Sequence, residues 1–203
     1  MPNFAIETKL SGSVAGIDEA GRGPWAGPVV AAAVIFPDKK VSDFLLKELD
    51  DSKKLSSKKR QILYPMIHEQ GLVGIGLATV AEIDKFNILR ATMLAMQRAV
   101  ADISEQPQNL IIDGNQVFNT GIPAYPIIKG DSLSYSIAAA SIVAKVRRDC
   151  LMQELSADFP VYQWHKNVGY GTAEHQKALD KYGVSPHHRC SFRPIRDFLE
   201  HLT

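Results

Sequence analysis

The stretch Val14-Ala-Gly-Ile-Asp-Glu-Ala-Gly-Arg-Gly-Pro-Trp-Ala-Gly-Pro28 constrains this chain more than any other. A short apolar run delivers two adjacent carboxylates, Asp18 and Glu19, and then turns through glycines around a single arginine. Two acids at a strand exit make a poor core and a good seat for a hard divalent cation. Gly21-Arg22-Gly23 carries little bulk, so its backbone N–H groups can approach a polar ligand closely. Acids for a metal beside bare backbone for a substrate point to an enzyme that acts on phosphate esters.

The apolar runs 13–18 and 28–36, the second ending at Pro37, read as buried strands joined by that turn. Residues 72–80 form a third strand, weakened by its glycines. From Ala81 to Ile103 there is no Gly or Pro, and Ile83, Phe86, Leu89, Met93, Met96 and Val100 recur at helical spacing, which predicts one long helix. Residues 110–112 and 125–128 supply a fourth and a fifth strand, Pro126 placing the latter at an edge or a strand start. A second long helix is expected over 132–155, centred on the small residues of 137–144, which would let a neighbour pack closely. Beyond Phe159 the chain is rich in Gly, Pro and His, with short helices over 174–181 and 194–202. Strands alternating with helices suggest an α/β fold, a mixed sheet with helices on its faces.

The 203 residues suffice for one core with a small C-terminal addition, and a hydrophobic share of 45% is ordinary for a soluble protein. No apolar run reaches the roughly 18 residues needed to span a bilayer. The N-terminus has neither a basic n-region nor an apolar h-region, so export is not expected. Cys150 and Cys190 stand 40 positions apart with no Cys-x-x-Cys pair, which argues against a disulfide framework or a zinc ribbon and for a reducing cytoplasm. A net charge of +1 is no signature of nucleic-acid binding. Residues 51–60 nevertheless carry five bases against one acid, and a second basic stretch runs from Lys145 to Arg148. Most such runs are solvated faces.

The acids recur where strands end. Asp18 and Glu19 close the first, Asp113 closes the fourth, and Asp131 follows the fifth and opens the second long helix. Carboxyl ends of neighbouring strands are where open α/β sheets place ligands. Singly, each has a plainer reading: Asp113-Gly114 as a turn dipeptide, Asp131 as a helix N-cap, Asp18 and Glu19 as solvated turn acids. That apolar strands deliver acids at each exit favours a shared site. Adjacent strand residues point to opposite faces, so Asp18 and Glu19 can share an ion only if the chain begins to turn at Glu19. Asp149 lies 18 residues beyond Asp131, displaced by roughly 27 Å along a continuous helix, and reads as structural or an exposed charge. Carboxylates without His or Cys at ligand spacing select Mg²⁺ or Mn²⁺ over zinc. Two such ions about 4 Å apart can activate a water on one side of a phosphodiester and stabilise the leaving oxygen on the other, so a hydrolytic nuclease follows. His165, His175, His187 and His188 read as surface or structural residues.

Three rivals stand beside that reading. Gly21-x-Gly23-x-x-x-Gly27 superficially matches a dinucleotide-binding turn, but Pro24 and Trp25 fit the close backbone approach badly and the acids would repel a pyrophosphate. A non-catalytic nucleic-acid-binding module would have no use for the acids. A related metal-dependent nuclease of the junction-resolvase type differs in its substrate.

Several segments together resemble the type 2 ribonucleases H, specifically the bacterial ribonuclease HII family. They are Gly16–Pro28, Asp51-Ser-Lys-Lys-Leu55, Ile111-Ile-Asp-Gly-Asn115, Lys129-Gly-Asp131, Ile137–Lys145 with Arg148-Asp149, and Gly169-Tyr-Gly-Thr172, spread over nearly the whole chain. The resemblance implies an RNase H-like fold, a five-stranded mixed sheet flanked by helices, with a catalytic domain over 1–158 and a helical C-terminal extension over 159–203. It implies endonucleolytic cleavage of RNA in RNA–DNA hybrids and incision on the 5′ side of ribonucleotides embedded in duplex DNA, by two Mn²⁺ or Mg²⁺ ions, leaving 5′-phosphate and 3′-hydroxyl ends. Carried over by position, Asp18, Glu19, Asp113 and Asp131 are the catalytic and metal-binding acids. Gly21, Arg22 and Gly23 are the loop whose backbone reads the ribose 2′-OH, and Tyr170 packs against that sugar. Lys53 and Lys54 lie near the nucleic-acid groove, with Lys145 a weaker candidate for a similar contact. The stretch Ser132–Ser136 is more polar than the family pattern at this place. A cytoplasmic monomer is expected; any contact with a replication clamp is left open.

Overall fold

Val14, Ala15 and Ile17 are buried in the central strand of the sheet, where Gly16 and Ile17 are paired on both sides, which is why this strand is apolar without alternation. In the computed structural model, whose described residues are 2–201, the sheet has five strands: β1 (Val14–Ala20), β2 (Val29–Ile35), β3 (Leu72–Ala78), β4 (Asn109–Asp113) and β5 (Ala124–Ile127). Their order is β3-β2-β1-β4-β5. β1 to β3 form an antiparallel meander, whereas β4 lies parallel to β1 and β5 parallel to β4. β1, β4 and β5 therefore end at one edge of the sheet, and the acids travel there with them. Pro126 lies in the edge strand β5, where a missing N–H costs no ladder bond.

The helices are α1 (Asp43–Glu48), α2 (Ser57–Gln70), α3 (Val80–Phe86), α4 (Ile88–Asp102), α5 (Tyr135–Asp158), α6 (Trp164–Asn167), α7 (Ala173–Tyr182) and α8 (Arg193–Glu200). Alternate residues of β2 feed two cores. Ala31, Ala33 and Ile35 meet α4 residues such as Ala95 and Ala99 on one face, and Ala32 and Val34 meet α2 and α5 on the other. The glycines of β3 have a packing reason: a Cβ on Gly74 or Gly76 would collide with the carbonyl oxygen of Ala99 or Ala95. Helix α4 thus lies directly on the strand. Gly16 does the same for α5, since a Cβ there would strike the backbone of Ser136 and Ile137.

Three expectations need correction. The helix expected over 81–103 is two helices, broken at Asn87. That residue takes φ 70°, and its side chain accepts from the N–H groups of Leu89 and Arg90 to start α4. The buried face of α4 is Ala91, Thr92, Ala95, Met96 and Ala99, and Leu89 is exposed. The helix expected from 132 begins at Tyr135, after a separate 3₁₀ turn over Gly130–Ser132. Its N-cap is Ser134, whose Oγ accepts from Ile137 N, so Asp131 is not the cap. Helix α2 was not anticipated, because its start is hidden in the basic run.

α7 and α8 lie where short helices were expected, although the last residue of the 194–202 expectation, Leu202, lies outside the described residues, as do Met1 and Thr203. Tyr162, Trp164, Leu179 and Ile195 of this C-terminal region share a third cluster with Ala26 from the β1–β2 turn and Met152 from α5. Among the described residues no helix is long and apolar enough to cross a membrane.

Candidate active site

Asp18, Asp113 and Asp131 each bring a carboxylate oxygen within 4.8 Å of the other two. Asp113 is the last residue of β4, and its Oδ1 accepts from Gly130 N at 2.7 Å, which ties the end of β4 to the turn that carries Asp131. That turn is entered through Lys129 in the left-handed conformation, φ 58°. Asp18 Oδ1 accepts from Glu19 N at 2.7 Å, and Asp131 Oδ1 from the Ser132 hydroxyl at 3.2 Å. Asp18 and Asp131 are buried.

The polar stretch after Asp131 fixes where α5 begins. Buried Glu7 accepts through Oε1 from the Ser134 hydroxyl at 2.6 Å and from Ser136 N at 3.1 Å, so an acid from the N-terminal segment joins the cap.

Burial pushes the Asp18 carboxyl well above its usual range, and the neighbouring charges of Glu19, Asp113 and Asp131 push it further. Burial and the charges of Asp113 and Asp51 also raise Asp131. At an effective dielectric of about 20, like charges about 4.8 Å apart repel by on the order of 3 kcal/mol per pair. Taking up a proton or a cation relieves a trio of this kind. Its all-oxygen donor set suits a hard divalent ion such as Mg²⁺ or Mn²⁺.

Glu19 lies outside the trio. β1 stays regular through Ala20, so Glu19 points to the other face, where its Oε1 pairs with Arg22 Nη1 at 3.3 Å. It lines a small cavity with Arg22, Asp113 and Gly114. Burial raises its carboxyl although Arg22 opposes the rise, and the charge of Asp113 reaches it.

Lys53 projects from the 51–55 loop. Burial pulls its ammonium down, but Asp18, Asp51, Asp131 and Asp113 together hold it above its usual value. The loop is held by Ser52, whose hydroxyl accepts from that of Ser141 on α5 at 2.6 Å, and by Arg60 Nη1, which donates to the carbonyls of Ser52 and Leu55. Lys54 pairs with Asp50 at 3.0 Å. Lys145 pairs with Asp149 at 2.7 Å, and Arg60 reaches the same carboxylate at 3.8 Å. Of the two readings of Asp149, structural or exposed charge, these ion pairs favour the structural one.

Gly21, Arg22 and Gly23 form the turn after β1, next to the loop of Tyr170. Gly169 O accepts from Trp25 N at 2.8 Å and from Ala26 N at 3.3 Å, which joins the two loops. A Cβ built on Gly23 would meet the half-exposed Tyr170 ring at van der Waals distance. Behind it lies a chain of histidines. Ser185 N donates to His188 Nδ1 at 2.9 Å, so His188 carries its proton on Nε2 and gives it to His175 Nε2 at 3.0 Å. His175 Nδ1 then donates to the Tyr170 carbonyl at 2.9 Å. Both rings are buried and neutral. Arg148, which the sequence places in a matching segment without a site role, and Arg189, which it does not single out, hold the same loops. Their signal was faint, since each stands among other polar residues.

The family profile described as Ribonuclease HII matches residues 15–195. The chain belongs to the ribonuclease HII family. It is 52% identical over 194 residues to the Ribonuclease HII of Wolbachia sp. subsp. Brugia malayi (strain TRS), covering 96% of this chain and 94% of that one. Among solved structures it is similar to the ribonuclease H2 of Pyrococcus horikoshii OT3, with TM-score 0.76 and 25% identity over 94% of this chain and 98% of that one. It is also similar to a chain of the PCNA:RNase HII complex from Archaeoglobus fulgidus, with TM-score 0.73 and 26% identity over 89% and 95%. The five-stranded mixed sheet flanked by helices is thus the RNase H-like fold. As a ribonuclease HII the protein is a hydrolase with ribonuclease H activity on RNA–DNA hybrids.

Proposed function

We propose that this ribonuclease HII is a metal-dependent endonuclease that also incises on the 5′ side of single ribonucleotides in duplex DNA, leaving 5′-phosphate and 3′-hydroxyl ends. The observation that carries the reading is the convergence of Asp18, Asp113 and Asp131 at the strand ends, beside a turn of bare backbone. These three carboxylates would hold a pair of Mg²⁺ or Mn²⁺ ions, and Glu19 would reach an ion held by Asp113, with which it lines a small cavity, rather than one held by Asp18. When bound, such ions supply a water of lowered pKa and electrostatic stabilisation of the leaving ribose 3′-oxygen. The protein's own groups do the rest. Gly130 N–H orients the Asp113 carboxylate, and Lys53, held over the acids, offers a positive charge to a phosphate oxygen. The turn at Gly21–Gly23 receives the ribose 2′-OH through backbone N–H groups, and the Tyr170 ring closes against the sugar. A 2′-OH is what distinguishes RNA from DNA at one position, so selectivity needs little base reading. Lys54, facing solvent beyond Lys53, meets the duplex backbone.

We further propose that residues 1–158 form the catalytic unit and 159–203 an extension that supplies Tyr170. Likeness to the Archaeoglobus chain, solved with PCNA, supports a sliding clamp as a protein partner.

The test is cleavage of three labelled duplexes, all-DNA, RNA–DNA hybrid and single-ribonucleotide, each with Mg²⁺, Mn²⁺ or chelator. Wild-type protein should cut the last two only with a divalent ion. Asp113→Asn should fold and lose at least about a hundredfold in kcat, the scale of removing one electrostatic group from a reacting centre. Cleavage by Asp113→Asn at the wild-type rate overturns the acid-cluster assignment.

A further inference from the structure

Arg148 and Arg189 are the most deeply buried cations of the fold, 1% and 0% exposed, and among the described residues neither forms an ion pair. Their donors go to backbone carbonyls instead. Arg189 Nη2 donates to Gly21 O at 2.6 Å, Nη1 to Arg22 O at 3.0 Å, and Nε to Gly27 O at 2.9 Å. Arg148 donates to Pro28 O at 3.1 Å, Ala26 O at 3.1 Å and Val168 O at 2.9 Å. All of these acceptors but Val168 lie between Gly21 and Pro28, and Val168 opens the loop of Tyr170.

Burying a guanidinium with no carboxylate is unfavourable. Burial pulls Arg148 down to about 10, and burial with the charge of Arg148 pulls Arg189 down to about 9. Both stay charged at neutral pH. An aliphatic side chain would fill the same space without that penalty, so the guanidinium must supply something an aliphatic cannot.

What it supplies is peptide orientation. In a trans peptide the C=O and the following N–H point in opposite directions, and among the described residues no peptide bond is cis. The carbonyls of Gly21 and Arg22 share their peptide planes with the N–H groups of Arg22 and Gly23. Drawing both carbonyls inward onto Arg189 therefore turns these two N–H groups away from the interior. Among the described residues neither donates to any group. The glycines admit the arrangement: Gly21 sits at φ 98°, and a Cβ there would collide with Arg148 Nε.

We propose that Arg189, with Arg148 beside it, is the positioning residue that presents the Arg22 and Gly23 N–H groups to the ribose 2′-oxygen, and so sets the preference for ribonucleotides. This rests on the assignment of the Gly21–Gly23 turn as the ribose-reading loop. Arg189→Lys keeps the charge but cannot span two carbonyls with a rigid fork.

The experiment measures kcat and KM on a single-ribonucleotide duplex, and the inhibition constant of the same duplex lacking that one 2′-hydroxyl. In Arg189→Lys, and less so in Arg148→Lys, KM should rise about tenfold, the scale of losing a hydrogen bond held in place by a charged group. The inhibition constant of the all-DNA duplex should stay unchanged. A merely structural role would lower the active fraction, and with it kcat, while leaving the ratio of the two constants as in wild type. An unchanged ratio in a folded Arg189→Lys overturns the proposal. Gly21→Ala, measured alongside, separates the two levels. A collapsed ratio there with an unchanged one in the arginine variants defeats only the role of the arginines. An unchanged ratio in Gly21→Ala defeats the ribose-reading loop itself, and the positioning role with it. Should the arginine variants fail to fold, amide exchange on wild-type protein in chelator decides. The Arg22 and Gly23 amides should exchange more slowly with the ribonucleotide duplex than with all-DNA, and equal rates overturn the proposal.

Discussion

Asp18, proposed above as a metal ligand, works against the fold that holds it. It is buried among other acids, and without a cation its ionised form is repelled by them. Asp18→Asn should therefore raise the stability of the chelated protein, by roughly 1–3 kcal/mol on the scale of like-charge repulsion at this spacing, while abolishing cleavage. Thermal melts with and without chelator provide the check. Wild type should gain stability on adding Mn²⁺ and Asp18→Asn should gain less. The acids were legible in the sequence because apolar strands ran straight into them. Arg148 and Arg189 were not, since an arginine in a polar stretch looks like a surface charge until the backbone it binds is known. The opposed faces of Asp18 and Glu19 were foreseen as a difficulty, and β1 does stay regular through both.

At the scale of elements, glycine decides how closely helix and sheet approach. Gly76 has its missing Cβ replaced by the Ala95 carbonyl of α4. Gly76→Val should push the helix off the strand and destabilise by about 1–3 kcal/mol or more, the usual scale of overpacking a core, read from urea midpoints. Exposed Thr79 at the start of α3 accepts from Glu82 N while Glu82 reaches back to Thr79 N. Thr79→Ala should cost about 1 kcal/mol without touching kcat. Strand positions came from the sequence nearly in place because apolar runs bounded by Gly and Pro leave few alternatives. The break at Asn87 did not, because a polar residue in an amphipathic pattern reads as helix surface. Helix α2 was obscured by the lysines of its first turn, which read as a charged loop.

The molecule as a whole couples its C-terminal helices to the loop of Tyr170 through His188, His175 and the Tyr170 carbonyl. Burial, with the charge of His175, pulls His188 down to about 4, while in the unfolded chain it titrates near about 6.5. Between those values the unfolded chain binds the additional proton, so stability falls as pH drops from about 6.5 towards 4. The loss for this residue approaches roughly 3 kcal/mol. Urea unfolding at pH 7 and pH 5 should show it, and His188→Gln should flatten the slope. Nothing in the sequence announced this chain of rings, since its members are paired by the tertiary fold.

Helix α5 runs past every part of the apparatus. Its first turn abuts Gly16 two residues from Asp18, its middle grips the lysine loop through Ser141, and further on Arg148 secures the glycine turn. One rigid rod thus serves as the common ruler against which the acid cluster, the lysine loop and the glycine turn are all aligned. A kink anywhere along it would throw the three out of step together, so intermediate phenotypes should be scarce among its substitutions.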